Sequence, residues 1–180
     1  LDRMKKSMPG IRVEPLPAQL QRMRMIKDPT EISTIKRGIG VVKEIFSYLP
    51  GIIKPGVSEQ AISAEIHRRL ILGGFNKIYD IFVASGANSA TIFYRKNKGI
   101  LEENSLVLID ICAAIDYYVC DLTRTFPTSG VFNDRHKQLI WEVESVHTEL
   151  VRALPKGGSL SSLSDLARDL FRTHGLDRNY

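Results

Sequence analysis

The sequence predicts an α+β fold in which an antiparallel sheet is covered by helices. Apolar residues recur at helical spacing after residue 28 and again after residue 134. Between residues 79 and 126 they instead alternate with the period of two that is typical of β-strands. Consecutive strands flanked by helices on both sides in the chain favour an antiparallel sheet with helices on one face.

Residues 1–27 are predicted to be a basic linker, or the tail of a missing N-terminal domain, and residues 28–180 to form the folded part. Prolines interrupt any regular period before residue 18, and the first 27 residues carry the whole net charge of +5. Such an arm can attract a polyanion. It has no aromatic residue on which a base could stack, so we expect a solvated linker and no nucleic-acid binding.

The first two helices have clear start signals. Asp28-Pro29-Thr30-Glu31 forms a capping-box arrangement with proline at the first helical position, and the helix is expected to end before Pro50. Gly38 and Gly40 lie inside this helix, which predicts close packing against a neighbour. The second helix is predicted to have Ser58 as its N-cap and to stop at Gly73-Gly74.

The strand region comes next, followed by two further helices. We predict strands at Tyr79–Ser85, Thr91–Tyr94, Leu106–Asp110, Tyr117–Cys120 and Leu122–Phe126. The third helix is predicted to be capped by Asp134 and broken at Pro155, and a weaker fourth helix ends at Gly175.

Two carboxylates stand inside apolar strand runs. With period two, Asp110 shares a strand face with Leu106 and Leu108, while Asp121 shares one with Thr123 and Thr125. Burial of a carboxylate without a partner costs several kcal/mol, so an Asp in such a run indicates a cation, hydrogen-bond donors or a strand end in water. A pair of hard oxygen ligands favours Mn, Mg, Co or Zn.

The composition excludes several classes of protein. No run of eighteen apolar residues occurs and no signal-peptide pattern is present, so we expect neither a membrane span nor secretion. The two cysteines, Cys112 and Cys120, fit neither a disulfide framework nor a zinc knuckle, which favours buried thiols in a cytoplasmic protein.

Several motifs occur in an order that resembles one family. The run LIDICAAIDYYVCDLTRTFPTSGVF, preceded by MRMIKDPTEI, PGVSEQ and FVASGANSATIFY, is similar to the pita-bread metallopeptidases. That family includes Xaa-Pro aminopeptidases, prolidases, creatinase and methionine aminopeptidase. The Thr-Arg-Thr-Phe-Pro run resembles the Xaa-Pro branch most. The resemblance implies a partial pita-bread fold and hydrolysis of the bond before proline in short peptides.

The resemblance also implies a metal site and a substrate pocket. Asp110 and Asp121 match the family's two Asp ligands of a dinuclear divalent-metal centre, for which we expect Mn, with Co or Zn as alternatives. Thr123, on the same face as Asp121, is expected to support a ligand. Phe93 and Tyr94 are expected in the substrate pocket, and Arg124 on the opposite face in an ion pair.

Departures from the family pattern leave enzymatic activity an open question. The family has a histidine where this chain has Phe93, and its remaining His and Glu ligands follow a Gly-His-Gly motif that does not occur before Tyr180. We therefore expect weak or absent metal binding and impaired activity in this chain alone. The alternative is a non-catalytic module that binds a protein, peptide or polyanion. Half of a pita-bread domain would also expose an apolar face, so a homodimer is a further expectation.

Overall fold

The fold was determined as a computed structural model, which describes residues 2–8, 10 and 16–176. Over these residues the chain forms six α-helices and three β-strands. In chain order they are α1 (Asp2–Ser7), α2 (Pro17–Met25), α3 (Pro29–Tyr48), α4 (Glu59–Leu72), β1 (Lys77–Ser85), β2 (Leu106–Ile115), β3 (Tyr118–Pro127), α5 (Asp134–Ala153) and α6 (Leu160–Thr173). The predicted α+β class is confirmed.

The three strands form one antiparallel sheet in the order β1-β2-β3. Because side chains alternate between the faces, three cross-strand rows lie on the same face of this sheet. The rows are Asp80/Cys112/Asp121, Phe82/Asp110/Thr123 and Ala84/Leu108/Thr125.

The other face of the sheet carries the hydrophobic core. Val107, Ile109 and Ile111 of β2 have no exposed surface, and they pack with the buried stripes of α3 and α4. The α4 stripe is Ile62, Ile66 and Leu70. In α3 the buried residues begin at Gly38, and Ile32 in the first turn is exposed.

The helix starts follow the capping chemistry of the sequence, with one correction. Asp28 accepts hydrogen bonds from the backbone of Thr30 and Glu31, and the Glu31 carboxylate accepts one from the Asp28 N–H, so the capping box is confirmed. Ser58 caps α4 as predicted. The prediction that Asp134 caps α5 was wrong: the Asn133 side chain accepts from the His136 N–H, and Asp134 is the first helical residue.

Three strand predictions were also wrong. The predicted strands Tyr117–Cys120 and Leu122–Phe126 are parts of the single strand β3, except for Tyr117. Strand β2 continues to Ile115, and Asp116 and Tyr117 form the turn, both at positive φ. Thr91–Tyr94 is not a strand. Its backbone turns at Phe93, where φ is 55°, a value that extended structure does not allow.

The two glycines of α3 differ in their surroundings. A Cβ at Gly38 would lie 2.5 Å from Cys120 Sγ and 2.9 Å from Ile115 Cγ2, so the predicted close packing is confirmed there. A Cβ at Gly40 would meet nothing within 4 Å, so the same prediction was wrong for that residue.

The N-terminal 27 residues contain more regular structure than the linker prediction implied. Helices α1 and α2 lie in this region, and α2 has no buried residue. Pro9 and residues 11–15 lie outside the described residues, and the domain boundary at residue 28 stays a prediction. Among the described helices, none is both long enough and apolar enough to cross a membrane.

Candidate functional site

The hairpin of β2 and β3 places the two predicted carboxylates on one face. Asp110 lies directly opposite Thr123, and Asp121 lies opposite Cys112, so the two aspartates occupy diagonal positions in neighbouring rows. This is the face away from the core, where alternate residues of β2 are half-buried. The structure therefore brings Asp110, Asp121 and Thr123 together: the period of two predicted one face for Asp121 and Thr123, and the register of the hairpin adds Asp110.

Asp110 is the more enclosed of the two carboxylates. It is half-buried, and the Thr123 hydroxyl donates a hydrogen bond of 2.5 Å to its Oδ1. Burial raises the pKa of Asp110 above its ordinary value; the Thr123 hydrogen bond opposes this rise, and the negative charge of Asp121 adds to it. A divalent cation between the carboxylates would relieve that repulsion, so these oxygen donors fit a hard metal ion.

A third carboxylate, Asp80, lies on the same face and was missed by the sequence analysis. It shares a row with Cys112 and Asp121, but both of its oxygens accept hydrogen bonds of 3.0 Å from Arg95. The ion pair neutralises this carboxylate, whereas Asp110 and Asp121 have no ion-pair partner among the residues that the structure describes. Within the described part of the chain, no group of three or more His, Cys, Asp or Glu side chains has a geometry that could hold a metal ion.

The thiol in this row is held protonated. Burial raises the pKa of Cys112 to about 11, and the Asp121 carboxylate contributes to the rise. Neither cysteine forms a disulfide; the prediction of a buried thiol is confirmed for Cys120, whereas Cys112 is only half-buried.

A pocket of about 260 Å³ opens beside Asp110. Phe93 and Tyr94 both line it, together with Phe82, Leu108 and Thr123. Phe93 is 72% exposed and packs its ring edge-on against Phe82, with ring centroids 6.1 Å apart. Tyr94 is buried, and its hydroxyl oxygen accepts a hydrogen bond from the Lys98 N–H at 3.3 Å.

Phe82 was missed by the sequence analysis, although a signal for it was present. It lies opposite Asp110 in the strand register, and the period of two places it on the same face. The ion-pair prediction for Arg124 is not borne out among the described residues. Its guanidinium donates to the Thr123 carbonyl at 2.7 Å and lies 5.9 Å from the Phe46 ring.

Comparisons with known proteins point to one family. The model of metallopeptidase family M24 matches residues 33–180. The chain is 28% identical over 155 residues to intermediate cleaving peptidase 55 of Saccharomyces cerevisiae, covering 86% of this chain and 30% of that protein. It is 30% identical over 164 residues to a probable Xaa-Pro aminopeptidase of Paracoccidioides lutzii, covering 90% of this chain and 32% of that protein. The chain thus spans about a third of the length of these curated relatives.

Solved structures share the fold. The chain superimposes on the X-Pro aminopeptidase from Thermotoga maritima with a TM-score of 0.82 and 25% identity, covering 98% of this chain and 50% of that one. The superposition on the prolidase from Pyrococcus furiosus has a TM-score of 0.81 and 22% identity, and it covers 92% of this chain and 49% of the prolidase chain. The likeness to these structures confirms the predicted partial pita-bread fold.

Proposed function

The chain belongs to metallopeptidase family M24, and from that membership we propose that it forms the N-terminal part of the catalytic domain of an Xaa-Pro aminopeptidase-like enzyme. Such an enzyme removes the N-terminal residue before proline from a short peptide. The observation that carries the proposal is the pair of carboxylates, Asp110 and Asp121, on one sheet face beside the pocket of about 260 Å³.

We assign Asp110 and Asp121 to a divalent-metal site, with Mn²⁺ as the proposed ion. When bound, the metal supplies a nucleophilic water at neutral pH and stabilises negative charge on the scissile carbonyl. The Thr123 hydroxyl holds one oxygen of Asp110, which leaves the other oxygen of that carboxylate to bind the ion.

The pocket beside Asp110 would receive the peptide. Phe82, Phe93 and Leu108 give it an apolar wall, which can bind an apolar side chain and exclude water from the reacting bond. Phe93 cannot donate or accept a proton, so acid–base assistance worth typically about 10²–10⁴-fold has to come from another group.

The test is release of the N-terminal residue from the tripeptide Ala-Pro-Ala with added Mn²⁺. We expect slow release by the parent chain, in keeping with the impaired activity expected above, and its loss in Asp110→Asn, which keeps the shape of the side chain but removes its charge. Asp116→Asn is the matched control, because Asp116 is an exposed carboxylate at the tip of the same hairpin, ion-paired with Arg37. Equal release by Asp110→Asn and the parent would refute the assignment.

A second candidate function is a non-catalytic module that binds peptides on the same surface. The exposed phenyl ring of Phe93 in the pocket favours it, since this ring can bind but cannot transfer protons. Binding of Ala-Pro-Ala without turnover would support this second function. The predicted cytoplasmic location and homodimer stay predictions.

A further inference from the structure

One buried carboxylate takes no part in the metal site. Glu59, the first residue of α4, has no exposed surface. Its Oε1 accepts hydrogen bonds from the Ser85 N–H at 2.7 Å, the Ser85 hydroxyl at 2.8 Å and the Asn88 side-chain amide at 2.9 Å, and its Oε2 accepts one from the Gly99 N–H at 2.7 Å. All four donors are uncharged, so hydrogen bonds and the helix dipole stabilise its charge.

The space around this carboxylate is closed. A Cβ at residue 99 would lie 2.6 Å from Glu59 Oε1 and 2.7 Å from Asn88 Nδ2, so only glycine fits there without a shift. Burial alone would raise the pKa of Glu59, but the hydrogen bonds hold its pKa below the ordinary value. The side chain is therefore ionised at neutral pH and tightly surrounded.

The partners of Glu59 lie at the two ends of one segment of chain. Ser85 ends β1, Asn88 lies in the turn that follows, and Gly99 lies in the connection to β2. The Asn97 side chain forms two further hydrogen bonds to the backbone of β1: it accepts one from the Val83 N–H at 2.9 Å and donates one to the Ile81 carbonyl at 2.9 Å. The connection between β1 and β2 is thus held against the edge of β1.

Residues 86–94, called here the wall segment, lie between Ser85 and Gly99, which both donate backbone hydrogen bonds to Glu59. Ser89, Thr91, Ile92, Phe93 and Tyr94 of this segment line the pocket beside Asp110. Ile92 and Phe93 are 84% and 72% exposed, so burial does little to hold them in place. Their positions depend on the backbone, which turns at Phe93 with a positive φ.

We propose that Glu59 is a positioning residue, which holds the wall segment over Asp110 so that a peptide meets a preformed pocket. The role in peptide binding rests on the proposed function, whereas the role in ordering the wall segment does not. A flexible wall would have to be ordered on binding, which lowers affinity.

Hydrogen–deuterium exchange of the whole 180-residue chain tests the ordering role. Glu59→Gln keeps the size of the side chain but replaces an accepting oxygen with an amide group that cannot accept. We expect exchange of the hydrogen-bonded amides within residues 85–99, such as those of Ser85, Thr91 and Gly99, to become about 10- to 100-fold faster, the loss expected for hydrogen bonds to a charged group, with exchange in β2 unchanged. Glu65→Gln is the matched control on the same helix, because Glu65 bonds only to Arg68 and Arg69 among the described residues.

Unchanged exchange in residues 85–99 would overturn the proposal, and so would an equal rise in β2, which indicates general destabilisation. Asn88→Ala provides a milder variant if Glu59→Gln does not fold. It removes one of the four hydrogen bonds and should cause a smaller rise confined to the same residues.

Ligand binding separates this role from the proposed function. In Glu59→Gln we expect the affinity for Ala-Pro-Ala to fall about tenfold while the affinity for Mn²⁺ alone is unchanged, because Glu59 does not touch Asp110 or Asp121. A parent chain that binds no peptide would refute the proposed function, and the exchange data would still decide the role of Glu59. A parallel loss of Mn²⁺ affinity would contradict a role confined to the wall segment.

Discussion

The hydroxyl of Thr123 offers a sharp test of the metal site. It donates a 2.5 Å hydrogen bond to Asp110, and Thr123→Val removes it while keeping a β-branched side chain of the same shape. A hydrogen bond to a charged acceptor contributes about 1.5–3 kcal/mol, and the lower end applies because Asp110 is only half-buried. We therefore expect Mn²⁺ affinity to fall about tenfold, which 1.4 kcal/mol represents.

Mn²⁺ titrations followed by electron paramagnetic resonance give the affinity, since the free ion has its own signal. Thr125→Val is the matched control: Thr125 lies on the same face of β3 but opposite Leu108, in the next row. We expect this control to bind Mn²⁺ like the parent. If Thr125→Val weakens binding as much as Thr123→Val, or if neither does, the arrangement of Asp110 and Thr123 does not support the ion.

Three further predictions concern the fold. Gly38→Ala should lower the free energy of unfolding by about 1–3 kcal/mol, because its Cβ would lie 2.5 Å from Cys120 Sγ. Gly40→Ala, where the Cβ meets open space, should raise the free energy of unfolding by up to about 1 kcal/mol. Urea titrations of the two variants measure both changes. Asp28→Ala removes the side-chain acceptor of the capping box and should cost about 1 kcal/mol in the same assay. Because the pKa of Glu59 is below its ordinary value of 4.5, its contribution to stability is complete above that value and is lost as pH falls through the folded pKa. The difference in melting temperature between the parent and Glu59→Gln should therefore be full at pH 7 and shrink below pH 4.5, and a difference that grows in acid would contradict this sign.

The sequence was informative where periodicity and capping decide the structure. Alternation predicted that Asp121 and Thr123 share a face of one strand, because the side-chain direction within a strand depends only on position. The starts of α3 and α4 followed from the acceptors at Asp28 and Ser58. These are local rules, so one chain segment is sufficient to apply them.

The wall segment could not be predicted in this way. Thr91–Tyr94 has β-forming residues, yet its backbone turns at Phe93, which has a positive φ. The hydrogen bonds of Glu59 and Asn97 to the neighbouring residues hold the segment in this turn. Glu59 itself gives no signal in the sequence, since a glutamate in the first turn of a helix is common and normally exposed. Its burial depends on contacts with residues 26 to 40 positions away, which only the folded chain reveals.

The extent of β3 was missed for a related reason. The two predicted strands stop on either side of Asp121, but the exposed face of the sheet accepts a charged residue without ending the strand. The pattern thus located the carboxylates correctly while misplacing the ends of the strands that carry them.

The most direct test of the metal assignment is to locate bound Mn²⁺ by the line broadening it causes in amide NMR spectra of the chain. If Asp110 and Asp121 hold the ion, signals from residues 108–112 and 121–125 broaden first, and Asp110→Asn suppresses the effect while Asp116→Asn does not. Broadening that persists at these residues in Asp110→Asn, or that centres on another acidic group such as Asp134, would contradict the account.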